Sequence, residues 1–109
     1  MVFELRTYLT SDGRAPFDEW LEGLRDHSAR ARIRARLVRV QAGNLGDFKP
    51  LQEGVQELRI DHGPGYRVYV SRQGQLIVLL LCGSDKSEQS AAIRRAVTYL
   101  KDWKMRGSP

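Results

Sequence analysis

Apolar and polar residues follow two different periods along this chain, and the period divides it into strands and helices. Residues 2–9 alternate loosely, which predicts a first strand. Two amphipathic helices come next: one begins at Pro16, and the other has Ser28 as its N-cap and ends near Gly43. Their apolar stripes consist of Phe17, Trp20, Leu21 and Leu24 in the first helix and of Ile33, Leu37 and Val40 in the second. The short link between them predicts a helical hairpin.

The second half of the chain alternates with a period of two and predicts three further strands. Two of them cover residues 55–61 and 66–70, and the hairpin loop His62–Gly65 joins them. The third, residues 76–82, is apolar on both faces, so we expect it in the middle of the sheet. Residues 47–53, between the second helix and these strands, are expected to form a connecting loop.

A last helix completes the predicted fold. Residues 83–87 open it with Asp85 or Ser87 as the N-cap, and its apolar period continues to Trp103. The tail 104–109 is expected to fray. The prediction is one α+β domain over residues 1–109: a small twisted antiparallel sheet in the order β-α-α-β-β-β-α, packed by an N-terminal helical hairpin, with a C-terminal helix.

The register of the central hairpin brings two arginines together. If the apolar positions of both strands share one side, Arg59 and Arg67 lie on the other side, near or directly opposite each other. Like charges in that position destabilise a sheet by up to roughly 1 kcal/mol. Either a nearby carboxylate such as Glu57 or Asp61 neutralises each arginine, or the two form a preformed anion site that suits phosphate oxygens.

Lys86 stands where the last helix begins, although a helix N-terminus favours anions over cations. If its side chain faces the two arginines, the three cations define one anion pocket. A lysine, Lys49 or Lys86, could then take a proton role, and Tyr69 or Tyr99 could stack on a base or relay a proton. His62 beside the Gly-Pro-Gly loop is more typical of a structural or exposed residue.

The charge balance favours a polyanionic or acidic partner. The 109 residues carry 18 Lys and Arg against 13 Asp and Glu, a net charge of +5. The arginines of the second helix are either a solvated face or a polyanion contact surface, with Arg32 and Arg36 as candidate RNA-binding residues. One cysteine and two distant histidines give no support to a metal site, and no cofactor is expected. We find no signal peptide and no segment long enough to cross a membrane, so a cytoplasmic protein is expected.

Three segments carry a resemblance to a known family: ELRI at 57–60, GYRVY at 65–69 and GSDKSEQ at 83–89. Together with the FDEWLEGL helix they resemble the RelE/ParE superfamily of type II toxins, most of all its HigB-like or phage Gp49-like branch, the addiction module killer proteins. The similarity extends over nearly the whole chain. It implies a twisted antiparallel sheet flanked by a helical hairpin and a C-terminal helix, and a bacterial toxin neutralised by a cognate antitoxin, expected to be a helix-turn-helix protein encoded nearby.

The resemblance also implies an activity, because members of this kind cleave mRNA, usually at the ribosome. It places Arg59, Arg67 and Lys86 on the active face, with Lys49 beside them. The chain lacks the histidine and tyrosine cluster that some HigB toxins have near the C-terminus, which leaves the general acid and base open. Two alternatives stay open as well: a ParE-like poison of DNA gyrase, and a non-catalytic binding module of the same fold. The antitoxin is expected to mask the basic face or the flank of the C-terminal helix.

Overall fold

The structure is a computed structural model that describes residues 2–107. It has three layers, with one five-stranded sheet between two layers of helices. In chain order the elements are β1 (Glu4–Thr7), α1 (Pro16–Glu22), α2 (His27–Gln41), β2 (Phe48–Pro50), β3 (Gln56–Ile60), β4 (Tyr66–Gln73), β5 (Ile77–Asp85), a 3-10 turn (Lys86–Glu88) and α3 (Gln89–Met105). The α+β class and the three helices are therefore confirmed, but four strands follow the second helix where three were expected.

The sheet is mixed, where a purely antiparallel sheet was expected. Its strand order is β1-β5-β4-β3-β2, and β1 runs parallel to β5 while the other neighbours are antiparallel. A parallel neighbour requires a long crossover, which the two helices and three strands between β1 and β5 supply.

The expected loop at residues 47–53 contains the edge strand β2, so that expectation was wrong. Phe48 pairs with Leu58 of β3 in an antiparallel register. Three residues that include Pro50 are too few to show alternation, and proline is tolerated on an edge strand because no neighbour needs its missing N–H.

Helices cover both faces of the sheet. One core cluster packs α1 and α2 against one face through side chains such as Phe17 and Ile33. The other packs α3 against the opposite face through Leu100 and Trp103. Strand β5 lies between β1 and β4 and contributes Val78 to the first cluster and other buried residues to the second, so it is an interior strand as expected, although the middle of the five strands is β4.

Side-chain caps decide where α2 and the 3-10 turn begin. Asp26, in an extended conformation, accepts a hydrogen bond from the backbone N–H of Ala29. The N-cap of α2 is therefore Asp26, and the prediction of Ser28 was wrong by two residues. Asp85 was one of the two predicted caps; it accepts from the N–H groups of Ser87 and Glu88.

Two predicted boundaries shift towards the C-terminus. The strand β5 continues to Asp85, so residues 83–85 belong to the sheet, while α3 itself begins at Gln89. Helix α3 continues to Met105, two residues into the segment expected to fray, and Ser108 and Pro109 lie outside the described residues. None of the helices between residues 2 and 107 combines the length and the apolar character that crossing a bilayer requires.

Candidate functional site

The two arginines of the central hairpin lie directly opposite each other. Arg59 of β3 pairs with Arg67 of β4, and Arg67 in turn pairs with Ser84 of β5. The predicted register is thus confirmed, because paired residues of antiparallel strands point to the same face of the sheet. The side chain of Arg59 is 36% exposed and that of Arg67 is 12% exposed, so both are partly within reach of a ligand.

A buried carboxylate holds the two guanidinium groups together. Glu57 is fully buried, and its Oε1 atom accepts a hydrogen bond of 2.8 Å from Arg59 Nε. Its Oε2 atom accepts one of 3.2 Å from Gln89 at the start of α3 and lies 4.0 Å from Arg67 Nε. The hydrogen bond and the charge of Glu57 raise the pKa of the Arg59 guanidinium above its ordinary value, which keeps this group charged.

Arg67 is the less satisfied of the pair. Its Nη1 atom donates a long hydrogen bond of 3.3 Å to the carbonyl of Tyr66, and its buried Nε atom has no hydrogen-bond partner within the described residues. The sequence predicts that Glu57 could neutralise one of the arginines. In the structure this one carboxylate faces both guanidinium groups. Donor capacity is therefore left over at Arg67.

Lys86 lies beside the arginines, as the helix-terminus reasoning predicts. The hairpin loop approaches it closely at Gly65, which has a φ of 84°. A Cβ atom on Gly65 would lie 3.7 Å from both Arg67 Nη1 and Lys86 Cβ. These are ordinary van der Waals distances, so glycine is favoured at this position by its positive φ and not by a lack of space.

These residues line one open pocket, which we call the arginine pocket. Its volume is about 360 Å³, and its lining comprises Asp47, Arg59, Asp61, Gly63, Pro64, Gly65, Arg67 and Lys86. Strands β3 and β4, the loop between them and the 3-10 turn each contribute to it. Three cations and two carboxylates thus share a space that accommodates a phosphate group and part of a nucleotide.

The sequence points to only one of the two aspartates in the lining: Asp61 was expected as a carboxylate that could neutralise an arginine, and Asp47 was not expected at the site. Asp61 follows β3, and Asp47 precedes β2, where its backbone carbonyl accepts a hydrogen bond from Arg59 N–H. The only signal for Asp61 was its nearness to Arg59 in sequence. Asp47 is distant in sequence and comes close through the pairing of β2 with β3.

Two of the other predicted site residues, Lys49 and Tyr69, do not line the pocket. Lys49 is exposed on β2 and pairs with Glu57, so it lies one strand away on the same face. Tyr69 is fully buried, and its hydroxyl group contacts Ser84 Oγ at 3.0 Å. Burial raises the pKa of Tyr69. The prediction that Tyr69 stacks on a base was therefore wrong, because its ring belongs to the core under α3.

The two candidate RNA-binding arginines of α2 differ sharply. Arg36 is buried and donates three hydrogen bonds, of 2.5, 2.7 and 2.9 Å, to the backbone carbonyls of Arg59, Leu45 and Asp47. Desolvation lowers the pKa of its guanidinium. An RNA-binding role for Arg36 is contradicted, because the side chain is buried and both Nη atoms donate to carbonyls inside the protein, while the buried Nε atom has no hydrogen-bond partner within the described residues. Arg32 is exposed and is not among the residues that line the arginine pocket.

His62 has a structural partner. Its Nε2 atom lies 3.4 Å from a carboxylate oxygen of Asp26, the N-cap of α2, and the ring is partly buried. The histidine ties the central hairpin to that helix and does not line the arginine pocket. Its interpretation as a structural residue agrees with this placement.

Comparison with known proteins relates the chain to a bacterial protein. No family model matches the chain. The chain is 47% identical over 96 residues, 88% of its length, to a protein of Haemophilus influenzae named uncharacterized protein, and the match covers 91% of that relative. Identity at this level over almost the full length of both chains means a common fold. The chain therefore belongs to the same protein family as this Haemophilus influenzae protein.

Proposed function

We propose that this chain is the toxin of a type II toxin–antitoxin system, a cytoplasmic endoribonuclease of the RelE/ParE kind that cleaves mRNA at the ribosome without a metal ion. The observation that carries the proposal is the arginine pocket, in which Arg59, Arg67 and Lys86 line the same space. Glu57 offsets part of the repulsion between the opposed arginines, and the donors that it leaves unused at Arg67 suit the two non-bridging oxygens of a phosphodiester.

The proposed reaction uses the 2′-hydroxyl group of the RNA as the nucleophile. Its oxygen attacks the adjacent phosphorus, the bond from phosphorus to the 5′-oxygen breaks, and a 2′,3′-cyclic phosphate and a 5′-hydroxyl end result. One proton leaves the 2′-hydroxyl group and one reaches the departing oxygen. Arg59 and Arg67 stabilise the additional negative charge at phosphorus, and Glu57 keeps the Arg59 side chain in place.

Proton transfer falls to the groups on the rim of the pocket. Asp47 and Asp61 are both exposed and supply carboxylates that can accept the proton of the 2′-hydroxyl group. Lys86 is an exposed ammonium group that can donate to the departing 5′-oxygen. His62 is held by Asp26, and Tyr69 is buried, so neither is assigned a proton role.

The experiment compares wild type with Arg67→Ala and with Arg72→Ala, which changes an exposed arginine of the same strand away from the pocket. A defined mRNA is incubated with each protein in a translating extract and as free RNA, with and without a chelator. Wild type and Arg72→Ala should give 2′,3′-cyclic phosphate ends, and Arg67→Ala should not.

Cleavage should also stop where a single 2′-deoxynucleotide replaces the nucleotide before the cut. Intact transcripts during full growth arrest by the wild type would refute the ribonuclease proposal. DNA breaks with intact mRNA would identify the gyrase poison instead. If a neighbouring gene encodes a helix-turn-helix protein and that protein suppresses the growth arrest, it is the proposed antitoxin.

A further inference from the structure

A second open pocket lies on the other side of β5, between α1 and α3, and we call it the α1–α3 groove. The groove has a volume of about 320 Å³. Its lining includes Arg14, Glu19, Trp20, Gly83, Arg95 and Tyr99. The groove exists because β1 ends at Thr7, which pairs with Leu80. Beyond Leu80, β5 has no strand beside it on that edge within the described part of the chain.

Two aromatic rings on the walls of the groove are held in fixed positions. A Cβ atom on Gly83 would lie 2.3–2.5 Å from three ring atoms of Trp20, so the indole ring lies face down on the glycine backbone. The same ring meets Tyr66 edge-on at 6.3 Å. Tyr99 is partly buried and stacks on Tyr8 with ring centroids 5.0 Å apart. Rings that are already ordered bind a flat ligand with little loss of entropy.

The charged residues of the groove leave one cation in excess. Arg14 donates two hydrogen bonds, of 3.0 and 2.6 Å, to the carboxylate of Glu19, and this pair is internally balanced. Arg95 is exposed on α3 and forms no salt bridge with any residue between 2 and 107. Its neighbour Arg94 shares a shallow surface with Arg95 and Tyr99. An aromatic ring beside an unpaired arginine is the combination that single-stranded nucleic acids bind.

The groove and the arginine pocket are joined by one short segment of chain. Gly83 lines the groove and Lys86 lines the pocket, three residues later. At ~3.3 Å per residue this separation is about 10 Å. A single strand of RNA covers this distance in about three stacked nucleotides at 3.4 Å each, and in fewer when it is extended.

We propose that the α1–α3 groove binds a nucleotide of the same RNA strand whose phosphate lies in the arginine pocket, an inference that rests on the proposed ribonuclease function. The base stacks on Tyr99, and Arg95 binds the adjoining phosphate. The Glu19 carboxylate, balanced by Arg14, accepts a hydrogen bond from an amino or imino group on the base edge. This second contact fixes the register of a strand whose phosphate lies in the arginine pocket.

The test measures the binding of a 2′-O-methyl RNA hexamer, which cannot be cleaved by its own 2′-oxygen, by fluorescence anisotropy. Arg95→Ala and Tyr99→Leu should each weaken binding about five- to tenfold, the scale of one phosphate contact or one stacked base. Arg95→Ala should also reduce the slope of log affinity against log salt by about 0.7, the value for one phosphate contact on a single strand. Tyr99→Phe keeps the stacking ring and should bind like the wild type.

The matched control is Lys101→Ala, which removes one positive charge from the same helix but pairs with Glu53 outside the groove. It should leave affinity and salt slope unchanged. If Arg95→Ala and Tyr99→Leu bind the hexamer like the wild type while remaining folded, the inference is wrong. If the two substitutions instead weaken the binding of a polyglutamate peptide, the groove is a peptide site. That result also overturns the inference.

The two proposals fail in different ways. Cleavage of unmodified RNA with binding that is insensitive to Tyr99 and Arg95 would overturn the groove alone. Binding that depends on both residues, without any cleavage of mRNA in the translating extract, would support the groove and refute the ribonuclease.

Discussion

Replacing Arg36 by methionine tests whether this arginine stabilises the fold or binds RNA. The substitution keeps an unbranched side chain of similar length in a buried site and removes the guanidinium group. Three backbone carbonyls, in the segment before β2 and in β3, then lose their donor. Because one of them belongs to Arg59, the substitution also loosens the support of the arginine pocket.

The expected loss of stability follows from these three hydrogen bonds. A hydrogen bond that involves a charged group contributes about 1.5–3 kcal/mol, and a buried acceptor without a donor costs a similar amount. The sum is reduced because the buried guanidinium no longer has to be desolvated and because neighbouring bonds are not additive. We expect the free energy of unfolding to fall by about 3 kcal/mol, which lowers Tm by roughly 10–15 °C in a domain of this size.

The assay is thermal and urea unfolding, with Arg32→Met as the matched control four residues earlier on the same helix. Arg32 is exposed, so its replacement should change the unfolding free energy by no more than about 0.5 kcal/mol. If Arg36→Met is as stable as Arg32→Met and instead loses RNA affinity, Arg36 is a binding residue and the hydrogen-bond reasoning is refuted.

Three further substitutions test other contacts. Glu57→Gln removes the buried charge between the guanidinium groups; the protein should lose about 1.5–3 kcal/mol, and inorganic phosphate should raise its Tm more than that of the wild type. Gly83→Ala should displace the indole ring of Trp20, with a cost of about 1–3 kcal/mol from overpacking and a shift of the tryptophan emission. Burial and the hydrogen bond to Asp102 raise the pKa of Tyr8 to about 12 from 10.0. Stability that is present below pH 10 is therefore lost as the pH rises towards 12, and Tyr8→Phe should show a smaller loss in that window.

The sequence predicted those parts of the fold that depend on a local period. Alternation in β3 and β4 was enough to place Arg59 opposite Arg67, because the faces of two joined strands follow from the apolar positions and the loop between them. The two apolar faces of β5 were likewise enough to place it inside the sheet.

Contacts between distant segments could not be predicted in the same way. Arg36 and Arg32 look equivalent in the sequence, yet only Arg36 reaches the carbonyls beside β2, and it does so where Gly46 leaves room. A Cβ atom on Gly46 would lie 2.8 Å from the guanidinium group. The edge strand β2 was missed for the related reason that its pairing is set by the partner strand and not by its own three residues.

The balance of charges at the arginine pocket determines how the pocket would bind a phosphate. Arg59, Arg67 and Lys86 carry three positive charges, and Glu57, Asp47 and Asp61 carry three negative ones. The attraction of a phosphate therefore cannot come from a net charge in the pocket.

It has to come from the direction of the donors that Glu57 leaves unused, above all those of Arg67. Directed donors are effective at short range and contribute little to long-range attraction. Under the proposed ribonuclease function, the steering of RNA towards the site then falls to the basic surface outside the pocket, where Arg94 and Arg95 lie on α3. A pocket of balanced charge would then align the phosphate, and the basic flank on α3 would attract the strand.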